Sequence, residues 1–195
     1  MYGLVNHGIQ TFVTDNHGPV VWRSICAAAR TSTNDYEPML VYEDDETYRL
    51  VAVISERLGL DTAKVLEVFG DFWVDYSQHT SVGKLIAFGG RTLPERLEGL
   101  DDLHEHVARS MPHLKPPSFE FETGADNVHI LHYFSEREGL QPMVIGLLHG
   151  IARDTGESIR VRHIAKKEEG ADHDSFEIEV LAQDAHEGET GERAA

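Results

Sequence analysis

The chain has 195 residues, of which 41% are hydrophobic, and these values are typical of one globular domain large enough to enclose a cofactor. Lys and Arg number 17 against 34 Asp and Glu, and the resulting net charge of -17 disfavours nucleic acid and anionic membrane surfaces as partners. The one cysteine, Cys26, excludes an internal disulfide and any multi-cysteine metal cage. A bound metal would therefore be held by histidine or carboxylate.

The two ends of the sequence indicate where the protein is found and how far its domain extends. The start, MYGLVNHGIQ, lacks the basic and apolar regions of a signal peptide, and no later run approaches the roughly 20 apolar residues of a membrane helix. We therefore expect a cytoplasmic protein. The last residues, QDAHEGETGERAA, contain no large apolar side chain, so we expect one domain over 1–182 and an acidic disordered tail over 183–195.

The first half of the chain shows the 3.6-residue period of amphipathic helices. Asp44 or Asp45 is expected to cap the third helix, Gly59 to end it, and Asp61 to cap the fourth. Thr92 and Glu95 have the spacing of a capping box at the start of a later helix. The predicted helices begin near Gly3, Pro19, Asp44, Asp61 and Leu93, and end near Thr14, Arg30, Leu58, Tyr76 and Ser110.

From Pro116 onward the apolar period changes to two, which is typical of strands. Four strands are predicted, interrupted by one amphipathic helix from Gln141 to about Arg153. The strands cover Ser118 to Glu122, Val128 to Arg137, Ser158 to Ile164 and Ser175 to Leu181. The pattern predicts an α+β fold, in which an N-terminal helical lobe is followed by a mostly antiparallel four-stranded sheet with a helix packed on it.

One histidine stands out among the twelve because it lies on the apolar stripe of a predicted helix. His104 shares that stripe with Leu100 and Val107, whereas His106 is turned about 200° away and is expected to be solvated. A lone histidine on an apolar face is more often a hydrogen-bonded core residue than a ligand. The same setting is what a proximal haem ligand needs, because its neutral imidazole must enter an apolar cavity alone.

A second pattern combines hydroxyls with a guanidinium. Strand alternation would place Tyr133, Ser135 and Arg137 on one face, where two hydroxyls and a guanidinium could hold carboxylates. A polar outer face of an antiparallel strand is the simpler explanation. Trp73 and Met143 also have two interpretations, which are ordinary core packing and an apolar pocket wall. No P-loop, nucleophile elbow or dinucleotide-binding glycine motif is present, so we expect no enzyme activity.

Taken together, these motifs make the sequence resemble the H-NOX (haem nitric oxide/oxygen binding) family, including the haem domain of the soluble guanylate cyclase beta-type subunit. The matching segments are MYGLVN, LDDLHEHV, PPSFEFE and HYFSEREGLQPMVIGLLHG, so the resemblance extends from Met1 to about Leu181. It implies a non-covalent haem b between the two lobes, His104 as the iron ligand, and Tyr133, Ser135 and Arg137 on the propionates. Spacing places the family's porphyrin-contacting proline at Pro117.

The resemblance also indicates which gases should bind. Family spacing gives a distal wall, and oxygen-binding members carry a hydrogen-bonding tyrosine where this chain has Met143. A thioether cannot donate that bond, so we expect nitric oxide and carbon monoxide to bind ferrous iron and oxygen to be excluded. Trp73 is the open point, because its indole N–H is a donor. The expected distal residues are Leu4, Trp73, Met143 and Leu147.

The family's mode of signalling implies that nitric oxide releases His104 and frees the helix from Leu93 to Ser110. Bacterial members act on a separate signalling protein, so we expect a partner such as a histidine kinase or a cyclic-di-GMP enzyme. A haem enzyme acting on nitric oxide or peroxide is one alternative, but it would need a distal acid–base pair. Haem storage or transport is another, and it predicts an exchangeable cofactor.

Overall fold

The computed structural model describes residues 1–80, 90–111 and 113–182. The described residues form seven α-helices and four β-strands; six helices come first, and the seventh lies between the second and third strands. Helices α1 to α7 span Gly3–His17, Pro19–Ala29, Asp44–Leu58, Thr62–Gln78, Leu93–Glu98, Leu100–Ser110 and Gln141–Thr155. Strands β1 to β4 span Ser118–Thr123, Val128–Phe134, Ser158–Ala165 and Asp174–Leu181, with a short 3₁₀ turn at Lys167–Glu169.

The sheet has the order β1-β2-β4-β3, and every neighbouring pair of strands is antiparallel. One face of the sheet packs against α7, where Leu131, Phe176 and Ile178 are completely buried in one core with Val144 and Leu148. A separate core fills the N-terminal helices. The predicted α+β class, with a helical lobe and a sheet lobe, is confirmed. The expected disordered tail, 183–195, lies outside the described residues.

Most of the predicted helix ends are found in the structure. Gly59 ends α3 in the left-handed conformation with φ 63°, and the side chain of Asp61 accepts a hydrogen bond from the backbone N–H of Ala63 at the start of α4. The capping box of Thr92 and Glu95 is present. The capping prediction for Asp44 or Asp45 was wrong, because the cap of α3 is Glu43, which makes no side-chain capping bond.

The predicted helix from Leu93 to Ser110 is in fact two helices that meet at Gly99. Leu93 and Leu97 of α5 are fully buried, whereas no residue of α6 is. The second strand is also shorter than expected, since it ends at Phe134. There the hydroxyl of Ser135 accepts a hydrogen bond from the N–H of Arg137, and a local turn of this kind replaces the strand ladder.

The two lobes meet where α4 crosses α7 with very small side chains at the contact. A Cβ atom on Gly70 would overlap the carbonyl oxygen of Met143, and one on Gly146 would overlap the carbonyl oxygen of Glu67. Glycine at these two positions lets the backbones of the helices touch. No helix of the described residues is long and apolar enough to cross a membrane.

Replacing Gly146 by alanine should therefore destabilise the protein by about 3 kcal/mol, because the added methyl group forces the two helices apart. Chemical denaturation monitored by circular dichroism measures the change. Gly59→Ala is the control, since a Cβ there meets no atom within 4 Å and only the left-handed φ is strained, at a cost of about 1 kcal/mol. Equal losses in the two variants would contradict the close-packing argument.

Candidate functional site

A cavity of about 720 Å³ lies between the helical lobe and the sheet. Its volume is within the range of cofactor sites, and its wall is mostly apolar. Every residue that the sequence analysis assigned to the haem site lines it. These residues are His104, Tyr133, Ser135, Arg137, Pro117, Leu4, Trp73, Met143 and Leu147. The structure thus brings together side chains from distant segments, while their assignment as haem contacts stays a prediction.

Helix α6 forms one wall of the cavity. It is strongly amphipathic, yet none of its residues is buried, and Leu100, Leu103 and Val107 on its apolar face border the cavity. In a folded domain such a face normally packs against other protein atoms. An apolar face that borders a cavity instead is suited to a large apolar ligand.

His104 presents one free ring nitrogen in this cavity. Its Nδ1 lies 2.7 Å from the carbonyl oxygen of Leu100, and since a carbonyl only accepts, Nδ1 carries the proton. Desolvation by the surrounding protein atoms lowers the pKa of His104 below its usual range, although the bond to Leu100 and the nearby Asp101 act in the opposite direction. The ring is therefore neutral, and Nε2 has no hydrogen-bond partner among the described residues.

This arrangement is the one that metal-binding histidines use. A backbone carbonyl that accepts from one ring nitrogen fixes the tautomer and leaves the lone pair of the other nitrogen for the metal. The ring of His104 lies 5.2 Å from that of Phe119, whose backbone N–H donates to Asp101 over 2.9 Å. That bond joins α6 to β1. His106 is exposed, as expected, and borders the rim of the cavity.

The polar end of the cavity lies where β2 ends. Tyr133 is buried, and burial raises the pKa of its phenol, which keeps the hydroxyl protonated and able to donate. Ser135 and Arg137 lie beyond the strand, so the predicted alternation within one strand was wrong for them. The N–H of Arg137 donates to the hydroxyl of Ser135 over 3.0 Å, and this bond forms a turn. Both residues line the same cavity as Tyr133.

A contact that sequence reasoning missed fixes the position of Arg137. Its Nε donates to the carboxylate of Asp44 over 2.8 Å, and one terminal nitrogen donates to the carbonyl oxygen of Lys115 over 2.7 Å. Burial acts to raise the pKa of Asp44, but the hydrogen bonds from the Met1 amino group and Arg137 together lower it. The sequence did show acidic residues at the start of α3, which could have indicated a partner for Arg137, but they were interpreted as helix caps.

The four predicted distal residues, Leu4, Trp73, Met143 and Leu147, all line the cavity. The ring of Trp73 packs beside Phe69 and Tyr76, at centroid distances of 5.8 and 5.5 Å. The indole Nε1 of Trp73 has no hydrogen-bond partner within the described part of the chain. These four side chains are thus apolar except for one N–H donor.

The donor set of the cavity fits haem. One neutral imidazole offers a single nitrogen to iron, the apolar walls suit a porphyrin, and the phenol, the hydroxyl and the guanidinium at one end suit two propionates. Two of the five guanidinium N–H groups of Arg137 are used by protein partners among the described residues. The others are free for a carboxylate.

Comparison with solved structures shows the same fold. An H-NOX protein from S. oneidensis in the Fe(II)NO state aligns with a TM-score of 0.84 at 22% identity, covering 93% of this chain and 100% of that one. An unliganded Fe(II) H-NOX protein from K. algicida aligns with a TM-score of 0.81 at 19% identity, covering 94% of this chain and 98% of that one.

Comparison of sequences finds relatives among guanylate cyclases. Soluble guanylate cyclase gcy-35 of Caenorhabditis elegans is 31% identical over 157 residues, which are 78% of this chain and 23% of that protein. Guanylate cyclase soluble subunit beta-2 of Rattus norvegicus is 28% identical over 134 residues, 67% of this chain and 20% of that protein. The chain thus spans less than a quarter of either relative. The model of the haem-NO-binding family matches residues 2–163, so the chain belongs to the haem-NO-binding, or H-NOX, family.

Proposed function

We propose that this chain is a haem-based sensor that binds nitric oxide and carbon monoxide, excludes oxygen, and signals to a separate protein. The observation that supports this most directly is the neutral His104, with a free Nε2 on the wall of an apolar cavity. When bound, haem b would supply ferrous iron with His104 on one face and a position for a diatomic gas on the other. The role is that of a sensor and not an enzyme, because the opposite wall offers no acid–base pair.

The chain's own residues would hold the haem without a covalent bond. The single cysteine, Cys26, is buried in the core of the helical lobe, away from the cavity. Tyr133, Ser135 and Arg137 are proposed to bind the propionates, and Pro117 to contact the porphyrin. Asp44 orients Arg137 for that role through the ion pair between them.

Exclusion of oxygen follows from the residues opposite His104. Bound oxygen is polar and gains from a hydrogen-bond donor, whereas carbon monoxide and nitric oxide need one much less. Met143 cannot donate a hydrogen bond, and neither can Leu4 or Leu147. Trp73 is the one donor on this wall, and we propose that its N–H does not serve bound oxygen because the indole is held in place by tilted packing against the rings of Phe69 and Tyr76.

Release of His104 would act on α6 alone. Helix α5 is anchored at the C-terminal end of α7, because Arg96 pairs with Asp154 of that helix and the N–H of Leu93 donates over 2.8 Å to Glu157, two residues past its end. Helix α6 has no buried residue and begins at Gly99, so after loss of the bond to His104 the link from Asp101 to the backbone of Phe119 would be one of its few remaining restraints. We propose that the mobile unit starts at Gly99 and not, as the sequence suggested, at Leu93.

The signal would then pass to a protein partner. A net charge of -17 favours a partner with a basic surface over nucleic acid or anionic lipid. A histidine kinase or a cyclic-di-GMP enzyme is the proposed partner class, as implied by the bacterial members that the sequence resembles.

Visible absorption spectra of the purified protein under argon, nitric oxide, carbon monoxide and air test the proposal. We expect five-coordinate ferrous haem that changes with nitric oxide and carbon monoxide and keeps its ferrous spectrum in air. His104→Gly should lose the histidine-ligated ferrous spectrum and regain it with added imidazole. A protein with no Soret band after hemin addition would contradict haem binding, and rapid loss of haem to apomyoglobin would favour storage or transport.

Met143→Tyr should create an oxygen-binding variant, because the phenol places a donor on the gas side. A hydrogen bond to a charged or polar ligand contributes about 1.5–3 kcal/mol, so oxygen affinity should rise by about tenfold to a hundredfold. Oxygen titration of the ferrous protein measures the change, and Met143→Phe is the matched control without the hydroxyl. If the wild type already holds oxygen and loses it in Trp73→Phe, the proposed exclusion is wrong.

Hydrogen–deuterium exchange with and without nitric oxide tests the release of α6. Amides of Leu100–Ser110 should exchange faster in the nitric oxide complex, while those of Leu93–Glu98 should stay protected because α5 remains anchored. The carbon monoxide complex, in which His104 is expected to stay bound, is the control. Equal deprotection of both helices would show that they move as one.

A further inference from the structure

A second cavity lies beside the one that is proposed to hold haem. Its volume is about 640 Å³, and residues of α1, α3, α4 and the start of α7 line it together with the turn before α7. The two cavities have five lining residues in common, which are Met1, Val5, Arg137, Leu140 and Met143. The cavities are therefore neighbours, and these side chains form a shared wall between them.

The second cavity extends from the protein surface into the core of the helical lobe. Ala52 of α3 and Thr62 of α4 line its outer end, and both are exposed to solvent. Its inner end is lined by Ile9, Leu66 and Phe69, each of which is at most 6% exposed. The cavity thus connects solvent with an apolar interior.

The shared wall lies on the side where a gas is expected to bind. Met143, one of the predicted distal residues, lines both cavities. Phe69 of the second cavity packs against Trp73, another predicted distal residue, with ring centroids 5.8 Å apart. His104, the proposed iron ligand, lines the first cavity and not the second. The second cavity therefore meets the first at its predicted distal side.

The inner end of the second cavity suits a small apolar molecule. The side chains of Ile9, Leu66 and Phe69 offer no hydrogen bond, and a diatomic gas needs none. Apolar cavities in proteins bind xenon for the same reason. A charged or strongly polar ligand would lose its hydration there without gaining a partner. The lining thus favours a gas over a polar metabolite.

We propose that nitric oxide and carbon monoxide enter through the second cavity, dock at its inner end, and pass Met143 to reach the haem. This inference rests on the proposed haem-based function, because it concerns how gas arrives at that same site. The side chain of Met143 is unbranched and flexible, so a change of rotamer can open the shared wall without movement of the backbone. The propionates would occupy the polar end of the first cavity, which closes that end to an entering gas.

Flash photolysis of the carbon monoxide complex tests the entry path. Ala52→Trp places an indole at the outer end of the second cavity and should slow carbon monoxide association by about tenfold, equivalent to an added barrier of about 1.4 kcal/mol. Dissociation, measured by displacement with nitric oxide, should slow by the same factor, because a barrier to entry is also a barrier to exit. The Kd should therefore stay unchanged.

The matched control is Ala28→Trp, which changes an exposed alanine of α2 that lines neither cavity. It should keep the wild-type rates. Circular dichroism and an unchanged Soret band verify that both variants fold and bind haem.

Methyl NMR spectra of the carbon monoxide complex under xenon test docking at the inner end. The methyl signals of Ile9 should shift with xenon pressure and reach saturation. Ile25 and Ile54 are buried in the same core but line neither cavity, so their signals should not move.

The inference and the proposed function can fail separately. A protein without a Soret band would contradict haem binding itself. If haem-loaded Ala52→Trp takes up carbon monoxide at the wild-type rate, or if xenon leaves the signals of Ile9 in place, haem binding stands and entry through the second cavity is wrong. A weaker Kd with an unchanged association rate would also overturn it, because such a change acts on the bound state and not on entry.

Discussion

The hydrogen bond from Nδ1 of His104 to the carbonyl oxygen of Leu100 is the interaction on which the site depends. It joins two residues that are one helical turn apart, and it fixes which ring nitrogen of His104 is protonated and which is free. Desolvation by the surrounding atoms lowers the pKa of the ring and favours its neutral form. A histidine on an apolar helix face thereby becomes a candidate metal ligand. The rest of the cavity determines which cofactor fits.

The cavity exists because the two lobes are held in a fixed relation at its edges and not across its centre. Gly70 and Gly146 let α4 and α7 touch on one side. On another side, Arg137 of the sheet lobe pairs with Asp44 of the helical lobe. These contacts leave room between the lobes. They also place Arg137, at the polar end of the cavity, at the junction of the lobes, where a relative movement of the lobes would change its position.

The sequence was sufficient for those features that are local. The period of apolar residues gave the order of helices and strands, and Gly59, Asp61, Thr92 and Glu95 marked helix ends through short-range bonds. The break at Gly99 was missed because both flanking segments have helical periodicity. What distinguishes them is burial, and burial depends on the other parts of the fold.

The candidate site was predicted through resemblance more than through periodicity. Alternation within a strand placed Ser135 and Arg137 beside Tyr133, but the strand stops first, and a turn brings them to the cavity instead. The pairing of Arg137 with Asp44 joins residues that are 93 positions apart. No local pattern encodes such a contact.

The absence of any buried residue in α6 has a consequence for how the protein matures. An isolated helix of 11 residues is marginal in water, and no residue of this one is buried, although Asp101 and His104 contact Phe119 of β1. Its persistence therefore depends on whatever fills the cavity that it borders. Cofactor supply would then act as a quality check during biogenesis, because a chain that has not acquired its ligand exposes a loosely held segment to cellular proteases.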